Sequence, residues 1–320
     1  MNKKILGLVA GLAAAIAWVP AGAASINNVV FFGDSLSDSG NVWYATGGFP
    51  PFPYYQGSGG AGPDFTGGQW SDYLGPSWAT PFAANFGRYA TPSWAGGSNY
   101  AWGGARTGVD GDPTGVPWLD QQVGQYLLFG SSPNATTLYS VVIGGNTIAN
   151  NLASPDFNAV ITAGVNSIMN SIAALYGFGG RQFLVANVPD IGATPLFRSG
   201  DPATAAYATY QTQQWNMALE DALSALSLPG ARITYLDLFG FGSEPDVLAM
   251  FSNTTDACFN GVTVCSNPYE YFYWDSFHPT SHTSALVADY ARRAVPEPGT
   301  LLLLGLGLAG LGMSQRRRAA

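Results

Sequence analysis

The stretch "GDSLSDSGN", Gly33 to Asn41, follows directly on the apolar run Val29 to Phe32. A serine on a tight turn at the end of a buried strand is a common way to expose a nucleophile, although the same letters also describe an ordinary turn. A hydroxyl is a weak nucleophile until a base takes its proton, and that base is usually a histidine oriented by a third group. The chain has only two histidines, His278 and His282, and both lie in "YFYWDSFHPTSHTSALVADY" with Asp275 three residues before His278. In a turn or a loop ahead of a helix, that spacing brings the carboxylate near the imidazole. The result is a Ser35, Asp275, His278 order, with acid and base on one short loop.

Acyl transfer through a serine also needs donors aimed at the developing oxyanion. "SNYAWGGART" places Gly103 and Gly104 where a backbone N–H could approach a ligand closely. "VVIGGNTIANN" ends an apolar run with Gly144, Gly145 and Asn146, and an Asn amide at a strand's carboxyl end can donate. Asp34 and Asp38 read as residues that hold the turn around Ser35 by accepting backbone N–H groups, with Asn41 in a similar part. His282 reads as structural or as a helix-start residue.

These residues need a scaffold, and the apolar pattern supplies one. Continuous runs at Val29 to Phe32, Leu138 to Ile143, Phe183 to Ala186 and Ile233 to Leu238 are too uninterrupted for half-exposed antiparallel strands, so they predict buried parallel ones. Helices are predicted between and after them at Asp156 to Tyr176, Ala203 to Leu226 and His282 to Arg293. Strand and helix in alternation predict an open α/β sheet covered on both faces, whose ligands bind at the carboxyl ends of the strands. The stretch from Trp43 to Pro117 breaks this rhythm. It is rich in Gly, Pro and aromatics, and is either a binding surface or a poorly ordered insertion, the aromatic content favouring the former.

The ends carry signals of another kind. Lys3 and Lys4, an apolar run from Ile5 to Val19 and the small residues "AGAAS" have the layout of a secretory signal peptide ending at Ala23, and the run is short for a membrane span. The other end joins "VPEP", a Leu/Gly stretch and Arg316 to Arg318, and resembles a PEP-CTERM sorting signal over residues 295–320. That resemblance implies export, processing by signal peptidase and exosortase, and delivery to the envelope or extracellular matrix of a Gram-negative-type bacterium. Between the two ends, residues 24–294 form the expected catalytic domain. The body contains seven arginines and no lysine against nineteen acidic residues. Such a surface argues against nucleic acid and against docking on anionic lipid. In an exported protein, Cys258 and Cys265 in "CFNGVTVC" are expected to close a small disulfide loop.

"GDSLSDSGN", "NYAWGGA", "IGGN" and "DSFHPT" together resemble the four sequence blocks of the GDSL, or SGNH, hydrolases, in order and over nearly the whole body. The resemblance implies a flavodoxin-like α/β/α sandwich with a central parallel sheet. It also implies Ser35 as nucleophile, His278 as base and Asp275 as its orienting group. The oxyanion hole it implies is made by the Ser35 and Gly104 backbone N–H groups and the Asn146 amide. One position departs from the pattern: the third block usually reads Gly-x-Asn-Asp, and Thr147 stands where the Asp is expected. The implied activity is hydrolysis of acyl esters of lipase, esterase or phospholipase type, without metal or cofactor. The alternatives are a carbohydrate acetyl esterase acting on extracellular polysaccharide and a catalytically idle surface component.

Overall fold

Val29-Val-Phe-Phe and its three counterparts are rich in β-branched and aromatic residues with few polar interruptions, chiefly Ser140 and Thr234, a composition that suits a strand covered on both faces. The computed structural model describes residues 25–57, 66–108 and 115–295. In it, β1 (Asn28–Gly33), β4 (Thr137–Val142), β5 (Gln182–Ala186) and β6 (Arg232–Leu236) form one parallel sheet in the order β1-β4-β5-β6. Two short two-stranded pairs lie outside it: β2 (Tyr54–Tyr55) with β3 (Gln69–Asp72), antiparallel, and β7 (Asn253–Ala257) with β8 (Tyr271–Tyr273), parallel. The expected flavodoxin-like sandwich is the fold observed. The signal peptide and nearly all of the sorting tail lie outside the described residues.

Alternation along the strands feeds two separate layers. Phe32 packs against Tyr100 and Tyr126, whereas its neighbour Phe31 points the other way onto Trp78 and Phe82. Both rings are fully buried, and burial of a side chain of this size contributes about 2 kcal/mol. Helices Leu119–Phe129, Phe157–Gly177 and Pro202–Ala225 cover the Phe32 side, with Ile168, Ile172 and Trp215 at the centre of that layer. Crossovers of one hand that step in one direction along a sheet deposit their helices on one face. Helices Ala79–Ala84 and Ser281–Ala294 pack on each other on the opposite side.

The long helices begin where their caps dictate. The Asp156 side chain accepts from the Ala159 N–H, Asp201 from Ala203, and Thr280 from Thr283, each filling one of the unpaired donors of a helix N-terminus. The last of these matters for function, because it fixes the start of the helix that follows His278. All four sheet strands run parallel, so their carboxyl ends share one edge, and the loops leaving that edge converge.

Candidate active site

Ser35 stands two residues past the end of β1, and its turn is built from backbone constraints. Gly33 has φ +154°, and a Cβ there would lie 2.2 Å from the Val142 carbonyl oxygen, so only glycine lets the chain leave the strand this close to β4. Buried Gln122 accepts from the Gly33 N–H at 2.8 Å and donates to the Gly33 carbonyl at 2.9 Å, pinning that peptide from the helix below. Asp34 Oδ1 accepts from the Leu36 N–H at 3.1 Å, and the Asp34 carbonyl takes the Ser37 and Asp38 N–H groups. The serine is thereby presented at the mouth of the sheet edge on a turn with little freedom.

The structure brings Ser35, Asp275 and His278 together. His278 Nε2 is 2.8 Å from Ser35 Oγ, and His278 Nδ1 is 2.8 Å from Asp275 Oδ2. An ionised carboxylate only accepts, so Nδ1 carries the proton and Nε2 of the neutral ring is the acceptor facing the serine hydroxyl. The other carboxylate oxygen, Asp275 Oδ1, accepts the Phe277 and His278 backbone N–H groups, both at 2.7 Å. The three-residue spacing therefore works as a tight turn that uses one oxygen to shape the loop and the other to orient the ring. Burial raises the pKa of Asp275, but the facing imidazole and these hydrogen bonds outweigh it and hold the carboxyl below its ordinary range. For His278, burial opposes protonation, yet the charge of Asp275, the bond that the ring donates to it and the charge of Asp34 carry its pKa above the ordinary value. Asp34 itself is pushed up to about 6, chiefly by burial.

The second block is tied to the first by buried carboxylate and amide side chains. Asp38 is fully buried and accepts four backbone N–H groups: Gly40 at 2.8 Å and Asn41 at 2.7 Å on Oδ1, Val42 at 3.3 Å and Gly103 at 2.9 Å on Oδ2. Asn99 donates to the Ser37 carbonyl at 2.6 Å and to Ser39 Oγ at 2.9 Å. Asn41 differs from its expected part. Its amide donates to the Asn99 and Ala101 carbonyls, and its oxygen accepts from the Trp94 N–H, so it fastens the second block, while Asp34 holds the Ser35 turn and Asp38 gathers the N–H groups that follow it. Gly104 follows at φ +81°, outside the range of ordinary side chains.

Asn146 lies in the first turn of helix Gly145–Asn151, and its amide donates to the Ala105 carbonyl at 3.1 Å, leaving a second N–H on the same nitrogen. Thr147, the departure noted in the sequence, is buried. Its hydroxyl accepts the Thr107 N–H at 3.0 Å and pairs with the Thr107 hydroxyl at 3.0 Å, so the third block remains joined to the second through a neutral group. His282 stacks on Tyr269 at 4.1 Å between ring centroids and bonds its carbonyl, a structural position on the first turn of its helix. Cys258 and Cys265 are joined by a disulfide.

Two neighbours of the site had no distinguishing signal in the sequence. Tyr54 of β2 donates to Asp275 Oδ2 at 2.8 Å, and the Trp70 ring of β3 lies against the His278 imidazole, centroids 5.1 Å apart and tilted by 30°. The insertion thus reaches over the acid–base pair. Beside Ser35 opens a cleft of about 170 Å³, lined mostly by apolar side chains that include Leu36, Ile143, Val188, Ile191, Phe241 and Phe277.

Residues 29–291 match the family model for GDSL-like lipase/acylhydrolase, and residues 294–318 match the PEP-CTERM protein-sorting motif. The chain is similar to GDSL esterase/lipase 6 of Arabidopsis thaliana, with 25% identity over 309 residues, covering 80% of this chain and 83% of that protein. It is 26% identical to GDSL esterase/lipase At4g16230 of the same plant over 185 residues, a match that spans 48% of this chain and about half, 50%, of that relative's length. Among solved structures, a member of the lipolytic protein G-D-S-L family from Veillonella parvula aligns with TM-score 0.45 and 13% identity, covering 84% of this chain and 97% of that one.

Proposed function

Because the chain belongs to the GDSL-like lipase/acylhydrolase family, we propose that it hydrolyses acyl esters through Ser35, with His278 as general base and Asp275 orienting it. The observation that carries this reading is the continuous relay from Ser35 Oγ through both ring nitrogens of His278 to Asp275, each step 2.8 Å. His278 Nε2 takes the hydroxyl proton as Oγ attacks the ester carbonyl. The carbonyl oxygen becomes an oxyanion facing the Ser35 and Gly104 N–H groups and the free N–H of Asn146. Collapse of this intermediate expels the alcohol, which takes the proton from His278 and leaves an acyl-enzyme. Water then repeats the sequence, the proton passing to His278 as the hydroxyl adds and on to Ser35 as the acid leaves. The apolar cleft beside Ser35 supports an acyl chain as the group bound there. The sorting motif supports export and exosortase processing, with the envelope or extracellular space as destination.

A fluorophosphonate probe tests the reading directly. Modification of the full chain is expected at Ser35, mapped by peptide mass spectrometry, and is expected to vanish in His278→Ala. A folded chain that the probe leaves unmodified at Ser35 would overturn the assignment.

The pH dependence has a defined sign. Only neutral His278 accepts the serine proton, and the pKa of this group in the folded enzyme lies above its usual 6.5. The kcat/KM profile, which reports the free enzyme, should therefore lose activity on the acid side with an inflection above 6.5. In Asp275→Asn the inflection should move down, because the charge that favours imidazolium is gone, while the plateau rate falls. An acid limb centred below that of a free imidazole would exclude the paired His278 as the base.

A further inference from the structure

We propose that Tyr54, reaching over from the aromatic insertion, is a positioning residue that limits how strongly Asp275 holds a proton on His278; this rests on the ester-hydrolase reading of the same site. Asp275 Oδ2 is shared between two donors, the His278 Nδ1–H and the Tyr54 hydroxyl, each at 2.8 Å. Burial and the adjacent carboxylate push the phenol far above any assay pH, so it is a permanent donor. A donor on Oδ2 draws off part of the negative charge that would otherwise act on the imidazolium. The charged groups facing His278 are Asp275 on its own loop and Asp34 at the end of β1, both of which favour the protonated ring. A ring protonated at rest cannot accept the Ser35 proton, so a neutral donor on the Asp275 carboxylate keeps the base available at lower pH.

The hairpin that carries Tyr54 is fastened at the far side of the same loop. Asp72, the last residue of β3, accepts the Ser281 N–H at 2.6 Å and the Ser281 hydroxyl at 2.9 Å, at the start of the helix that follows His278. Tyr54 grips Asp275, Asp72 grips Ser281, and Trp70 lies on the ring between them. The Tyr54 ring meets Phe259 and Trp274 edge-on, which holds its hydroxyl in line with the carboxylate.

The test is an NMR titration of the imidazole protons in the full chain, where His278 and His282 are the two histidines to assign. In Tyr54→Phe the His278 pKa is expected to rise by roughly half a unit to one unit, with the acid limb of kcat/KM moving by the same amount. Tyr55→Phe, which removes the hydroxyl next door on the same strand, should leave both where they are. In the Asp275→Asn background, Tyr54→Phe should add no further shift. An unmoved His278 titration in Tyr54→Phe, an equal shift in Tyr55→Phe, or a shift that persists in Asp275→Asn would each overturn the proposal. The titration is read without substrate. A chain that shows the shift but turns over no ester therefore refutes the hydrolase reading and leaves the coupling of Tyr54 to His278 standing.

Discussion

Ser35→Ala is expected to lower kcat on an activated acyl ester by on the order of 10⁴-fold or more, with the thermal unfolding midpoint close to that of the parent. The two halves of this expectation come from different features. The catalytic loss follows from removing the one atom proposed to form the acyl-enzyme, and the expected residual rate reflects substrate binding and the proposed oxyanion donors alone. Stability should barely move because the turn is held by other groups. Gln122 pins Gly33, the Asp34 carboxylate caps Leu36, and Asp38 collects four N–H groups, none of which uses the Ser35 side chain. The hydroxyl itself bonds to His278 Nε2, and a single such bond is worth about 1 kcal/mol. Steady-state kinetics on p-nitrophenyl butyrate and a thermal melt of the same sample check both halves. Turnover within tenfold of the parent would remove Ser35 from the role of nucleophile.

The scaffold was readable because its signals are local. Each sheet strand is built around a predominantly apolar run, and the starts of the long helices coincide with Asp156, Asp201 and Thr280, side chains suited to capping. Helix Leu119–Phe129 carries no such mark. Its first turn is closed by Trp118 and Gln121, without one of the small polar caps that mark a start in sequence. The candidate triad was readable from scarcity and spacing, since with two histidines in the chain the Asp275 to His278 step could be weighed almost by itself.

What stayed hidden are contacts between distant positions with many local equivalents. Tyr54 lies 221 residues from Asp275, and nothing in "FPPFPYY" separates its hydroxyl from that of Tyr55. Gln122 reaches Gly33 across 89 residues from the first turn of an ordinary helix. Trp70 is one of nine tryptophans, and its place on His278 follows from how the hairpin packs. Gly103 illustrates the same point in reverse. A Cβ there would come 2.5 Å from Trp70 Nε1, so this glycine of the pair is explained by an aromatic neighbour that the local sequence does not reveal.

The tie between the first and second blocks yields the other large expected effect. Asp38→Ala would leave the N–H groups of Gly40, Asn41, Val42 and Gly103 without their acceptor in a fully buried place. A buried donor left unpaired costs about 1–3 kcal/mol, so even partial relief by water gives an expected loss of roughly 3–5 kcal/mol in urea unfolding. Part of this is offset, because burial raises the pKa of Asp38 and its charge is held in the fold against that penalty. The catalytic effect should exceed what stability alone explains. Gly103 is the residue before the proposed Gly104 donor, and freeing its N–H lets that donor drift from the oxyanion, a loss expected to cost about 10²-fold in kcat at a temperature where the variant is folded. Asp38→Asn separates the two effects. Its remaining oxygen can still serve Gly40 and Asn41, whereas its NH₂ faces the Gly103 N–H, donor against donor. Stability should therefore recover in part while kcat stays low. An Asn variant with the parent's kcat would show that the Gly103 tether does not position the oxyanion donors, and would move that task to Asn146 and the Ser35 N–H.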